Sequence, residues 1–176
     1  MNSMKKINTK RIAAYGIMIA MALVFSYVES QIPSFFAFPG MKLGLTNIVV
    51  LTALYKMGNT AAMGINILRI ALVSMMFGGP YAFLYSLAGG MLSAAVMILL
   101  KTLGGFRPVT VSIAGGISHN VGQILIAMII MNTMGIGWYL CVLWFSGTAS
   151  GLLIGIIGNE LVRRLPDSIF IGGKKK

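Results

Sequence analysis

Three polar side chains adjoin one another within an otherwise apolar stretch of the sequence, residues 109–131. His119 and Gln123 are four residues apart, which places both on one face of a helix. Asn120 is adjacent to His119 and three residues from Gln123. Imidazole and amide groups donate and accept hydrogen bonds, so this face can bind a polar ligand or bond a neighbouring helix. A metal site is not indicated, because His119 is the chain's single histidine and no cysteine pair accompanies it.

A second candidate is Arg69, which lies eight residues from either end of the apolar run 61–77. A cation at that depth in hydrocarbon is costly and is expected to face the interior of a helical bundle. Two interpretations stay open: a structural ion pair, with Glu29 as the partner, or a contact to an anionic group or polar ring of a ligand. We expect Asn66 and Asn47 to extend the same polar interior.

These residues need a membrane-embedded scaffold to position them. The chain has 176 residues, of which 57% are hydrophobic and 10% charged, with a mean hydropathy of +0.89. Soluble domains carry about two and a half times that share of charge, so the composition indicates an integral membrane protein. The 14 basic residues outnumber the 3 acidic ones. They are scattered between apolar runs without forming a basic face, which argues against nucleic-acid binding and in favour of cytoplasmic loops.

The hydropathy pattern predicts an all-α bundle of six transmembrane helices. A basic N-terminus (1–11) and a basic tail (162–176) flank the membrane domain, 12–161. The predicted spans are about 12–28, 43–56, 61–77, 81–100, 109–131 and 138–161.

The positions of the basic residues support counting the short run 43–56 as a membrane crossing, because basic clusters on one side of the membrane must be separated by an even number of crossings. If it spans, both termini and the bases near Lys101 and Arg107 share the cytoplasmic side. Lys42 then lies outside, at the end of a long loop, residues 30–44. That loop contains prolines and aromatic residues, and we interpret it as a lid over an outward-facing site rather than as an idle loop.

The sequence lacks the residues that several kinds of chemistry require. Three carboxylates are too few for an acid-rich magnesium site, and neither a P-loop nor a nucleophile elbow occurs. We therefore expect no enzymatic activity, no catalytic residues, no cofactor and no metal.

Two short motifs resemble the signatures of a bacterial protein family. Residues 39–47 read PGMKLGLTN and residues 118–123 read SHNVGQ. Both are similar to motifs of the Gx transporter family, also called the heptaprenyl diphosphate synthase component I family. The resemblance covers nearly the whole chain, and the family is similar to the substrate-binding S components of energy-coupling factor (ECF) transporters.

The resemblance implies a six-helix importer subunit in the bacterial plasma membrane, surrounded by lipid, with both termini cytoplasmic. It implies a small-molecule substrate bound from outside, and partners in a transmembrane T component and cytoplasmic ATPases. The small residues Gly16 and Ala20 match the helix 1 face that docks the T component, although the family usually has alanine at both positions. On this reading the substrate contacts are Lys42 and Asn47 at the entry and Arg69, His119, Asn120 and Gln123 in the interior.

Two alternatives accompany this reading. The synthase name suggests an accessory membrane subunit linked to heptaprenyl diphosphate or quinone biosynthesis. An autonomous secondary transporter is a third interpretation, although the spans show no clear internal repeat.

Overall fold

The apolar runs of the sequence form helices in a computed structural model that describes residues 9–31, 44–77 and 79–170. The helices are α1 (Thr9–Gln31), α2 (Asn47–Lys56), α3 (Asn59–Phe77), α4 (Pro80–Leu103), α5 (Pro108–Ile130), α6 (Tyr139–Arg164) and α7 (Asp167–Phe170), with a 3-10 helix (Met134–Trp138) before α6. The described ranges contain no strand.

Glycine and proline set the boundaries between these helices. Gly58 has φ +99° and its N–H donates to the Ala53 carbonyl oxygen, which closes α2 with the left-handed residue that helix ends favour. Pro80 and Pro108 begin α4 and α5 directly after the extended residues Gly79 and Arg107. Proline suits a first helical position because it has no N–H to leave unpaired.

Five helical segments are long and apolar enough to cross a membrane, namely α1, α3, α4, α5 and α6 together with its 3-10 turn. The described part of the chain is therefore a multi-pass membrane protein. By contrast, α2 has 10 residues and a length of about 15 Å, roughly half the hydrocarbon core of a bilayer. The sixth crossing predicted over 43–56 would need residues before Asn47, and 32–43 lie outside the described residues.

The last residues of α2, α4 and α6 meet at one end of the bundle. The Lys56 ammonium lies 2.7 Å from the Asp167 carboxylate, and the Lys101 ammonium donates to the Leu54 carbonyl oxygen. The short helix α7 contacts α1, and its Phe170 belongs to the same buried cluster as Ala14. Both described ends of the chain consequently lie at this end.

Helices α4, α5 and α6 pack through glycine-lined surfaces. A methyl group at Gly116 would come within 2.5 Å of the Gly147 carbonyl oxygen, and one at Gly151 within 2.7 Å of the Ile113 Cα atom. On the other side of α5, a methyl group at Gly122 would lie 2.8 Å from the Gly89 Cα atom. The backbones of the three helices are therefore in direct contact, as small residues allow in membrane bundles.

The helix α2 is enclosed by the rest of the bundle. All eight residues 47–54 are buried, and α2 contacts every other long helix. The adjacent α1 buries one stripe of residues that ends in Ser26 and Glu29, and leaves its other faces exposed. This stripe positions a carboxylate beside the beginning of α2.

Candidate functional site

The centre of the site is Arg69, whose side chain is 7% exposed in the middle of α3. Its Nε and Nη2 atoms donate to the Asn66 Oδ1 atom at 3.1 and 2.9 Å, and Nη2 also donates to Asn47 Oδ1 at 3.2 Å. Asn66 is held in turn, because its Nδ2 atom donates to the Gly90 carbonyl oxygen of α4 at 2.9 Å. Two neutral amides thus orient the guanidinium, and its Nη1 atom carries two further donor hydrogens.

Glu29 of α1 is also buried, and its carboxylate attracts the Arg69 guanidinium by Coulomb interaction. The Glu29 carboxylate accepts the N–H of Gly44. One turn earlier in α1, the hydroxyl groups of Ser26 and Thr46 are 2.9 Å apart. The end of α1 is therefore tied to the start of α2 by two buried polar contacts.

These groups surround a small cavity of about 20 Å³, which has room for one water molecule. Its lining residues come from α1, the start of α2, α3, α4 and α5: Ser26, Glu29, Gly44, Thr46, Arg69, Ile70, Val73, Ser86 and His119. His119 thus faces the same space as Arg69, although 50 residues separate them in sequence. The cavity brings a cation, a carboxylate, an imidazole and three hydroxyl groups to one point in the bundle.

The other two candidate residues of the 118–123 motif, Asn120 and Gln123, lie in different surroundings. Asn120 faces α6, where its Nδ2 atom donates to the Leu143 carbonyl oxygen at 2.8 Å and to the Ser146 hydroxyl at 3.2 Å. Gln123 faces α4 and packs beside Gly89, and its side chain is 1% exposed. Neither of them lines the cavity. Asn120 therefore joins two helices, and Gln123 lies one turn beyond His119 along α5.

The remaining predicted residues fall in three places. Asn47 contacts Arg69 as described, whereas Lys42 and most of the predicted lid, residues 32–43, lie outside the described residues. Gly16 and Ala20 are both exposed on α1, and a methyl group added at Gly16 would meet no atom within 4 Å. This face of α1 is therefore uncovered in the single chain.

The sequence did not indicate three polar residues that line the cavity, namely Ser26, Thr46 and Ser86. Ser26 and Glu29 are three residues apart and share a helix face, which is a signal that could have indicated the α1 contribution. Ser86 is one turn before Gly90 on α4 and shares a helix face with it, a pattern that is typical of helix packing. A single serine among apolar residues gives little indication of whether it lines a cavity.

Chemically, this arrangement can hold an anion. A buried guanidinium with donors directed by neutral amides can bind a carboxylate or phosphate oxygen, and the imidazole and hydroxyl groups add neutral hydrogen bonds. Within the described residues, no group of three or more potential metal ligands occurs.

The fold and the site together define a class: a multi-pass helical membrane protein with a polar centre buried at mid-bundle. A family model described as heptaprenyl diphosphate synthase component I matches residues 18–161. The chain belongs to this family, as its two motifs indicated. Neither the curated proteins nor the solved structures contain a match to the chain.

Proposed function

We propose that this chain is the membrane-embedded substrate-binding subunit of an ECF-type importer and binds a small anionic molecule. The observation that carries the proposal is the Arg69 guanidinium, which is buried at mid-bundle beside a cavity and oriented by Asn47 and Asn66. Buried cations in membrane helices are costly and typically serve binding or transport. Glu29 attracts the Arg69 guanidinium by Coulomb interaction, and the substrate anion would take over that role.

The proposal gives each part of the molecule a task. The anion contacts Arg69, with His119 supplying a neutral hydrogen bond, and Lys42 attracts it at the outer entrance. Because the cavity holds about one water molecule, binding requires the end of α1 to separate from the start of α2. Energy comes from partner ATPases, since the chain has no P-loop.

The uncovered face of α1 supports a membrane partner. Gly16 and Ala20 are exposed and one turn apart, and small residues allow another helix to approach the backbone closely. We assign this face to the T component and place the basic termini on the cytoplasmic side, next to the ATPases.

Copurification from native bacterial membranes tests the assembly. We expect the tagged chain to recover a T component and two ATPases, and the Ala20→Leu variant to lose them. Ala95→Leu is the matched control, since Ala95 is likewise an exposed alanine but lies on α4, away from the α1 face. Equal recovery of the T component by both variants would show that the α1 face does not bind it.

The ligand itself is tested by mass spectrometry of small molecules released when the purified chain is denatured. Wild type and Arg69→Lys should release an anionic compound that Arg69→Met lacks. An uncharged compound, or equal amounts from Arg69→Met, would contradict the anion site.

A second function is suggested by the family's name: an accessory membrane subunit of prenyl diphosphate synthesis. The chain's three carboxylates lie apart, with Glu160 paired to Arg164 and Asp167 to Lys56, so the partner would have to bring the metal-binding acids. Recovery of an acid-rich soluble prenyl synthase instead of ATPases would support this function. Uptake that persists without any ATPase would favour an autonomous transporter.

A further inference from the structure

The Gln123 side chain is buried and makes no hydrogen bond to any residue that the structure describes. It is 1% exposed, and neither its Oε1 nor its Nε2 atom has a partner among the described residues. A buried amide that bonds neither protein nor water carries an uncompensated desolvation cost at both ends. Methionine would fill a similar volume at this position without that cost.

The neighbouring amides behave differently. Asn66 both donates, to the Gly90 carbonyl oxygen, and accepts, from Arg69. Asn120 donates to the Leu143 carbonyl oxygen and to Ser146. Of these three amides, Gln123 is the one with fully buried side-chain atoms that have no partner among the described residues, which points to a partner outside the chain.

The position of Gln123 connects it to the anion site. A methyl group at Gly89 would lie 2.9 Å from the Gln123 Cγ atom and 3.2 Å from the His119 Cε1 atom, so both side chains pack beside the same glycine. His119 and Ser86, which is three residues from Gly89 on α4, line the Arg69 cavity. Because Gln123 lies one turn from His119 on the same face of α5, a ligand that contacts Arg69 and His119 would reach the Gln123 amide next.

We propose that the substrate has two recognition groups, an anion held by Arg69 and an amide-type group held by Gln123. An amide-type group here means a donor beside an acceptor, as in an amide, lactam, imide or urea. Such a group can pair with both ends of the Gln123 amide at once. The inference rests on the proposed function, because it names the substrate class of the same site.

This pairing predicts strong selectivity. A site that buries polar groups for a substrate's hydrogen bonds rejects analogues without them, since its own groups are then left unpaired. A carboxylate without an amide-type group should therefore bind at least about tenfold more weakly than its matched partner.

Matched probes test the selectivity on the full-length chain in lipid nanodiscs. Orotate is compared with benzoate, and pyroglutamate with cyclopentanecarboxylate; in each pair only the first compound carries an amide-type group. We expect the first compound of a pair to raise the Tm of wild type at concentrations about tenfold lower than the second. Gln123→Met should abolish that difference, and Arg69→Met should weaken the binding of both compounds of each pair.

The outcomes separate the two proposals. If both members of each pair stabilise wild type and Gln123→Met equally, the anion site stands and the amide-type subsite is overturned. If no probe raises the Tm of wild type, the anion site and the subsite both fail.

The ligand-free chain provides a control for folding. Gln123→Met should raise or preserve the Tm, because it removes two unpaired polar atoms, whereas Asn120→Leu should lower it by breaking the bonds to α6. A fall in Tm for Gln123→Met similar to that of Asn120→Leu would mean that the Gln123 amide is satisfied within the protein, which overturns the inference.

Discussion

Helices α4–α6 and helices α1–α3 are held together by different forces. In α4–α6, glycines bring backbones into contact, as at Gly116 and Gly147, and van der Waals packing dominates. In α1–α3, side chains rather than backbones make the contacts: an apolar cluster that includes Ala14, Val50 and Ile65, and the polar contacts of Arg69 and Ser26. Close backbone packing tolerates little relative movement, whereas side-chain hydrogen bonds can exchange partners.

The candidate site lies at the boundary between these two regions. Its cavity takes Arg69 from α3 and His119 from α5, and Asn66 of α3 bonds the Gly90 carbonyl oxygen of α4. The comparison indicates different roles for the two regions: α4–α6 pack rigidly, while α1–α3 provide the charge and the contacts that, in the proposed function, open for the substrate.

The largest effect is expected from removing the cation of α1–α3. Arg69→Met removes the cation that attracts the buried Glu29 carboxylate and leaves the Asn47 and Asn66 side-chain oxygen atoms without their donor, which should cost about 3–5 kcal/mol of stability. The double variant Arg69→Met with Glu29→Gln should recover the part of that loss that comes from the two charges. Thermal unfolding of the four proteins in this cycle measures the coupling, and additive losses would show that the two charges are independent.

A steric test addresses the α4–α6 region. Gly116→Ala forces a methyl group to within 2.5 Å of the Gly147 carbonyl oxygen, so α5 and α6 must separate, at a cost of roughly 3 kcal/mol. Gly16→Ala on α1 is the matched control, since its methyl group meets nothing within 4 Å. Equal Tm values for the two variants would contradict the proposed difference between the regions.

Breaking the contact between the two regions should have a smaller effect on stability. Asn66→Leu removes the bond to the Gly90 carbonyl oxygen and one acceptor for Arg69, and should cost about 2 kcal/mol. Hydrogen–deuterium exchange should then increase in α3 and leave α5 unchanged. Increased exchange in α5 to the same degree would mean that the two regions unfold as one unit.

The smallest effect is expected at the end where α2 meets α7. Asp167→Ala breaks the ion pair with Lys56. The Asp167 side chain is 71% exposed. Such pairs contribute less than about 1 kcal/mol, so the Tm should fall only slightly. A large fall would show that α7 stabilises α1 and α2 through this pair as well as through Phe170.

Hydropathy predicted the long helices well because each covers one continuous apolar run. The run 109–131 corresponds to α5 (Pro108–Ile130), and the run 12–28 to the central part of α1 (Thr9–Gln31). The ends were less accurate, since helices continue into polar residues that hydropathy excludes. The sequence could not indicate that Phe170, within the segment interpreted as a basic tail, is buried.

The sequence singled out some of the residues that the structure brings together, but not their hydrogen-bond partners. Isolated polar groups in apolar runs directed attention to Arg69 and His119, and the cavity contains both. The acceptors that fix the neighbouring side chains are backbone carbonyl groups, such as those of Gly90 and Leu143. Every residue has a carbonyl group, so no residue type could reveal which ones are used.

The enclosure of α2 has a consequence for biosynthesis. This ten-residue helix is too short to be a stable membrane segment by itself, and its surroundings include α6, which is synthesised about 80 residues later. During translation α2 therefore has no complete surface to pack against until α6 emerges from the ribosome. The final step of assembly is then the closure of the early helices around α2, and a nascent chain stalled before α6 should leave α2 accessible to labelling from water.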